Sequence, residues 1–513
     1  MPGTRVGILD KFVAWIKHDL RSIFWLAGLA GTGKTSIAVT LCRMLERDSD
    51  VVLGGTFFCS RTANVKGRTD SRRILPSLAV MLANQSPKFA IELAAELKPD
   101  AGAAAHKPAS DQIGPLLQRP LSALSGDNRP IVFVIDALDE CVNERELGEL
   151  LAGIARFNSA ANVKFILTSR PETHILGSPI SDRGQNEILQ LHMIDTTEVT
   201  EDIRLYIQDS FYKSPLNAPW YSDPSVISLA TLSNGLFIFA STVVSYVLNA
   251  KSVHTRTTRL QTALAAVTQS SVAMGPLDSM YEFVLTRASN TAEIERGELE
   301  ATQRVLACIM AARVPTSINM LAELLDMQVD HLRESLQRLL SVLFVPETDD
   351  EPGLRTLHAS FGDYLIGRAP PNIRMIKSLG HNVLARSCLQ RMARDDLCFN
   401  ISRSRSSYEA NDQTSADWMV PSLVYACLQW AHHVAAASES AVLDELSEQI
   451  FMPKFLFWLE VLSVLGKVRV ASGLLRIAGS AVSVILIPCR HDSHHNRLDE
   501  RLYHGFFVTQ IRS

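Results

Sequence analysis

The chain has 513 residues, a length that suggests about three domains and excludes one continuous core. With 47% hydrophobic and 20% charged residues, a net charge of −4 and a pI near 6.4, it reads as ordinary folded protein, and nucleic acid is not an expected partner. The 8 cysteines are scattered without a C-x-x-C pair, which argues against a disulfide framework or structural zinc and fits reduced thiols in a cytoplasmic location.

Met1–Arg5 lacks the charged and then apolar run of a signal peptide, and charged residues interrupt the longer apolar stretches elsewhere, so no membrane span is expected. Residues 5–20 place apolar side chains at 8, 9, 12, 13, 15 and 16, the stripe of a helix. Next comes Phe24-Trp-Leu-Ala-Gly-Leu-Ala-Gly-Thr-Gly-Lys-Thr-Ser36, an apolar strand running into Gly28-x-x-x-x-Gly33-Lys34-Thr35 and then a helix. This is a P-loop in its required context. Gly28, Gly31 and Gly33 let the backbone curl around phosphate oxygens, and the new helix presents its positive end. Thr32 and Ser36 complete the binding loop, Lys34 can reach the β- and γ-phosphates, and the Thr35 hydroxyl can bind Mg²⁺.

Strands are expected at Ile23–Ala27, Val52–Cys59, Ile131–Ile135, Val163–Leu167 and Glu187–Leu191, separated by segments long enough for crossover helices. The run Ile131-Val-Phe-Val-Ile135 marks a strand buried on both faces, hence a parallel sheet. Leu97–Ser110, rich in Ala, Pro and Lys, reads as a surface insertion. Nucleotide hydrolysis needs a carboxylate on the metal side and another that orients or deprotonates water. Ile135-Asp136-Ala-Leu-Asp139-Glu140 supplies both: Asp136 ends the buried strand as the metal-side group, and either Asp139 or Glu140 lies within reach of water. Thr168-Ser-Arg170-Pro ends a further strand, which places Arg170 on the γ-phosphate side if ligands sit at the carboxyl ends of the sheet.

After Thr200 the strand pattern fades. Residues 200–290 read as helices with a break at Lys213–Pro224, Arg304–Ile366 as short helices followed by a Leu354–His358 strand, and 370–480 as helices around a polar connection at Asp395–Thr414. Read alone, His358 is a packed histidine at a strand end. Apolar positions 455–465, with Trp458, read as core, and no period of 20–50 residues marks a repeat array. Cys489–Ser513 is charged and His-rich; Cys489, His491, His494 and His495 are metal-capable, but without flanking structure they read as a solvated tail.

The ordered set Gly28-Leu-Ala-Gly-Thr-Gly-Lys-Thr35, Val134-Ile-Asp-Ala-Leu-Asp-Glu-Cys141 and Thr168-Ser-Arg-Pro-Glu172 resembles the NACHT family of STAND signalling ATPases in the form abundant in filamentous fungi. Ser233-Asn-Gly-Leu-Phe-Ile-Phe-Ala240 is similar to its post-ATPase helical element, and Pro276–Tyr281 and Leu357–Leu365 to the two ends of its winged helix. Tyr425–His432 and Phe455–Leu462 are similar to the helical region that follows. The resemblance implies an α/β P-loop core with a parallel sheet, then a helical segment, a winged helix and an all-α C-terminal region. Residues 1–22 form the lead-in helix, 23–200 the core, 201–295 the helical domain, 296–370 the winged helix, 371–485 the C-terminal helices and 486–513 an irregular tail.

The implied function is an ATP/ADP switch with Mg²⁺, slow hydrolysis and self-association when ATP-bound, of the kind used in fungal innate immunity or heterokaryon incompatibility. In that scheme His358 contacts the ADP β-phosphate from the winged-helix side. Where many relatives have Gly-x-Pro this chain has Gly235-Leu-Phe237, so Phe237 either replaces the proline at the adenine or is core. The chain is expected to lack the family's usual effector and repeat domains, and so to work with an unknown effector or sensor protein. Two other classes fit the P-loop: a metabolic kinase or hydrolase, and a nucleotide-binding scaffold that scarcely turns over.

Overall fold

The computed structural model describes residues 3–61, 67–97, 107–124, 126, 128–158, 161–214, 221–269, 275–288, 296–370, 374–375, 377–402, 419–438 and 453–479. The expected insertion at 97–110 and the connection at 395–414 lie largely outside these residues, the break at 213–224 lies half outside them, and the 489–513 tail lies wholly outside them. The chain divides into two compact units. The first is Met1–Ala288 with Leu340–Val342 and Thr356–Ala369; the second is Ser289–Leu339, Leu343–Arg355 and Pro370–Ser513.

The first unit is built on a five-stranded sheet, β1 (Ile23–Ala27), β2 (Val52–Phe58), β3 (Ile131–Asp136), β4 (Val163–Ser169) and β5 (Glu187–Gln190), in the order β2-β3-β4-β1-β5. All four pairings are parallel. β1, β3 and β4 are buried at every position, as strands covered on both faces are, with Lys164 of β4 kept in place by donating to the Asp19 and Arg21 carbonyls, whereas the edge strand β5 is half-buried throughout.

Alternate residues of the central strands feed two cores. On one face Ile23, Trp25, Phe133, Ile135, Phe165 and Leu167 pack against the helices Ile74–Gln85 and Glu144–Ala155. On the other, Phe24, Leu26, Val132, Val134 and Ile166 pack against α1 (Val6–His18) and α2 (Lys34–Leu45). Each fully buried aromatic or aliphatic side chain contributes about 1.5–3 kcal/mol of transfer free energy. The sheet also anchors the loop above it: Trp25 Nε1 donates to Ser169 Oγ at 2.8 Å and the Gly28 amide to the Ser169 carbonyl at 3.1 Å, so the tip of β1 is fastened to the tip of β4.

Between β4 and β5 the α-helix is a single turn, Thr173–Leu176, shorter than an alternating pattern leads one to expect. The rest of the unit is helical, with Thr196–Tyr212, Asp223–Leu232, Phe237–Leu248, Val253–Gln269 and Pro276–Ala288. Asn234 and Gly235 both take positive φ (45° and 78°), breaking the chain between two of these helices and setting where Phe237 begins the next. The strand expected at Leu354–His358 is reduced to Arg355–Thr356, because His358 caps the short helix Ala359–Asp363.

The second unit is mainly helical, including Arg296–Ala311, Ile318–Leu325, Lys377–Ala393, Pro421–Ala436, residues 453–464 and Ala471–Gly479. Its core centres on Trp430 and Trp458, edge to face at 6.2 Å, with Trp458 Nε1 donating to the Cys427 carbonyl at 2.9 Å. Gly380 lets Lys377–Ala393 lie directly on Arg296–Ala311, since any Cβ there would overlap the Ala307 carbonyl.

Candidate functional site

The loop between β1 and α2 opens onto a cavity of about 360 Å³ in the first unit. Gly31 and Gly33 hold left-handed backbone, φ 78° and 92°, which turns the chain back over the start of α2. Gly31 has a second constraint: a Cβ would overlap the Ile238 side chain, whose own amide donates to the Gly31 carbonyl at 3.2 Å. Thr32 turns inward, its hydroxyl donating to the Leu29 carbonyl at 2.9 Å. Lys34 Nζ donates to the carbonyls of Gly28 and Leu29 at 2.7 and 2.9 Å, and burial lowers its pKa.

Asp136, last residue of β3, is 1% exposed. Its oxygens accept from the Thr35 hydroxyl at 2.7 Å and the Thr168 hydroxyl at 2.5 Å, and burial raises its pKa against these bonds. Ala137 follows in left-handed backbone, φ 56°, with its amide donating to Thr168 Oγ1 at 3.0 Å. A non-glycine residue is held there only by its surroundings, and the turn aims the next acids at the cavity.

Asp139 and Glu140, left equivalent by the sequence, differ here. Both Asp139 oxygens are engaged by Arg170, one by its amide at 2.9 Å and the other by Nε at 3.1 Å. Glu140 uses one oxygen, accepting from the Arg61 amide at 2.7 Å, and burial raises its pKa. Arg61 Nη2 also donates to the Asp139 carbonyl at 2.7 Å, so the residue just beyond β2 fixes this turn from the side.

Arg170 stands at the end of β4 with Nη1 donating to Asp363 Oδ2 at 2.9 Å. Burial pulls its pKa down, but Asp363 and Asp139 outweigh that and hold it above the ordinary value. His358 lines the same cavity. Its Nδ1 accepts from the Ser360 amide at 3.1 Å and lies 2.7 Å from Ser360 Oγ, which in turn meets Tyr281 Oη at 2.9 Å. With Nδ1 an acceptor, the proton of the neutral ring belongs on Nε2. Burial, then the charges of Arg170 and Lys34, lower the His358 pKa to about 4, so the ring is neutral at pH 7.

Gly31, Gly33, Lys34, Thr35, Ser36, Asp139, Glu140, Arg170 and His358 all line the cavity, while Gly28, Thr32 and Asp136 support it from behind. Four further residues gather at the same cavity. Arg5, 5% exposed and in left-handed backbone, donates from its amide to Asp202 at 3.1 Å and from Nη2 to the Thr32 carbonyl at 3.1 Å. Its guanidinium lies 5.1 Å from the Phe237 ring centre, and its Nε and Nη1 are buried without a hydrogen bond. Tyr206, 6.2 Å from Phe237 edge to face, and Ile238 complete this apolar end. Phe237 was open between two roles in the sequence; nothing in the sequence pointed to Arg5 or Tyr206.

The donor set fits Mg²⁺. Among the described residues no three His, Cys, Asp or Glu side chains converge as a cage, but a hydroxyl backed by a carboxylate beside an anion-binding loop suits an ion that keeps waters and takes substrate phosphates. Thr35 and Asp136 would hold it. No helix among the described residues is long and apolar enough to cross a membrane.

The sequence profile of the nephrocystin 3 N-terminal family matches residues 3–170. No curated protein matches the chain. Among solved structures, the chain is similar to a signal transduction ATPase with numerous domains (STAND) carrying a tetratricopeptide repeat sensor from Pyrococcus horikoshii, at 10% identity and TM-score 0.41, covering 94% of this chain. The chain spans 58% of the length of that protein. It is also similar to Cdc6p from Pyrobaculum aerophilum, at 11% identity and TM-score 0.31, covering 68% of this chain and 91% of the other. A third likeness is to the Aeropyrum pernix ORC1 protein in complex with DNA, at 14% identity and TM-score 0.30, covering 75% and 93%.

Proposed function

We propose that this P-loop NTPase core is a nucleotide-controlled switch of the STAND type, in the NACHT form found in fungi, which holds ADP at rest and self-associates when ATP replaces it. The observation that carries the reading is that His358, far along the chain, lines one cavity with Lys34 and Arg170. A lone P-loop enzyme has no need of a distant neutral imidazole beside its phosphate cradle. A switch does, because a contact made in one nucleotide state alone biases the conformational equilibrium by its own free energy.

In this scheme the amides after Gly31 and Gly33 and the Lys34 ammonium hold the phosphates. The base and ribose extend toward Arg5, Tyr206 and Phe237, where an aromatic face and a buried guanidinium whose Nε and Nη1 make no hydrogen bond, though Nε lies 3.8 Å from Asp202, suit a nucleoside. Thr35 and Asp136 would hold Mg²⁺, which would supply charge neutralisation to the bound phosphates. Glu140, with its pKa raised by burial, orients or deprotonates the attacking water, and Arg170 faces the terminal phosphate. His358 Nε2 donates to the ADP β-phosphate. The signalling role is then of the immunity or heterokaryon-incompatibility kind, with an effector or sensor protein as partner.

The experiment is to denature the purified protein, identify the released nucleotide, and follow particle size by light scattering when Mg-ATP is added. ADP released in near-stoichiometric amount and growth in size with ATP but not ADP are expected. A guanine nucleotide, or a size indifferent to ATP, would count against the reading.

A further inference from the structure

We infer that Asp363 sets the preference of the site for a nucleoside diphosphate over a triphosphate by holding Arg170. This rests on the nucleotide reading above and adds a residue to it. Arg170 has two anionic partners, Asp139 through Nε at 3.1 Å and Asp363 through Nη1 at 2.9 Å. One guanidinium between two carboxylates leaves this wall with a surplus negative charge. Arg368, five residues beyond Asp363, is hydrogen-bonded to Asp278 at 2.8 Å and meets Asp363 only as a longer-range charge.

A diphosphate sits within reach of Lys34 and the loop amides. A triphosphate extends one anionic group further, toward Arg170, and meets a cation that Asp363 already neutralises. Asp363 also ends the short helix that His358 begins. One turn of chain thus carries a neutral donor suited to a β-phosphate and an anion that occupies the cation a γ-phosphate would use, and both favour the diphosphate. For a triphosphate to use Arg170 fully, this turn has to move away, which couples the identity of the nucleotide to the position of residues 356–369.

The test is calorimetric titration of nucleotide-stripped full-length protein with ADP and a non-hydrolysable ATP analogue, both with Mg²⁺. Asp363→Asn, which keeps the shape and removes the charge, is expected to improve ATP-analogue affinity relative to ADP by about fivefold or more, and Asp363→Ser should give the same direction. In an Arg170→Ala background the shift should vanish, because the cation being contested is gone. A merely structural aspartate would change both affinities alike. An unchanged ratio in both Asp363 variants, or a shift that persists without Arg170, overturns the inference while leaving the nucleotide reading intact. Lys34→Ala serves as the control for that reading: if it binds both nucleotides like the parent, the nucleotide site itself is wrong and the inference falls with it.

Discussion

Glu140→Gln is expected to slow phosphate release from Mg-ATP by about a hundredfold or more, the scale of a lost general base, while leaving nucleotide affinity nearly unchanged. The carboxylate lines the cavity, uses one oxygen on the Arg61 amide, and has a pKa raised by burial, the tuning expected of a group that must accept a proton from water. Gln keeps the acceptor for Arg61 and removes only the basicity. Asp139→Asn should behave differently, because Asp139 has both oxygens on Arg170 and acts through that residue. A phosphate-release assay run beside a binding titration separates the two cases. Undiminished release in Glu140→Gln would return the water-orienting role to Asp139 or remove it from this turn.

Lys34→Ala should weaken nucleotide binding by at least about tenfold, or about 1.4 kcal/mol. Lys34 donates only to loop carbonyls in the bonds described, so its charge is uncommitted, whereas Arg170 is shared between two carboxylates. Burial makes that ammonium costly to keep charged, and a phosphate is the partner that would offset the cost. Titration with a fluorescent ATP analogue measures it. Equal affinity in the variant and the parent would contradict the P-loop assignment.

The local parts of the candidate site could be placed on their elements because each is contiguous in sequence. The strand, loop and helix from Phe24 to Ser36 and the buried run ending in Asp136 carry their chemistry within a few residues, so periodicity and turn chemistry suffice to place them. The strand order was not legible. Parallel neighbours are joined by crossovers, and no local pattern says that β1 lies beside β4 and β5 rather than β2.

The distant parts were hidden for the same reason. Arg5 lies in the lead-in, and its place at the cavity shows only through its contacts with Thr32, Asp202 and Phe237. Asp363, a single acid in an apolar run, meets Arg170 only in three dimensions. Even the choice between Asp139 and Glu140 is a matter of which carboxylate Arg170 occupies. His358 was reached through family resemblance, since its residues alone read as a histidine at a strand end. Its position at a helix start with Nδ1 turned back onto Ser360 is what frees Nε2.

The central claim is that His358 reads the nucleotide, and the ADP dissociation rate tests it most directly. His358→Ala removes the imidazole but also the cap on Ala359–Asp363, so His358→Asn, whose side chain can still cap, is measured beside it. A hydrogen bond to a charged group contributes about 1.5–3 kcal/mol, and both variants are therefore expected to release a fluorescent ADP analogue about tenfold faster or more while still binding ATP. Dissociation unchanged from the parent in folded His358→Ala and His358→Asn proteins would make His358 a structural residue and contradict the account.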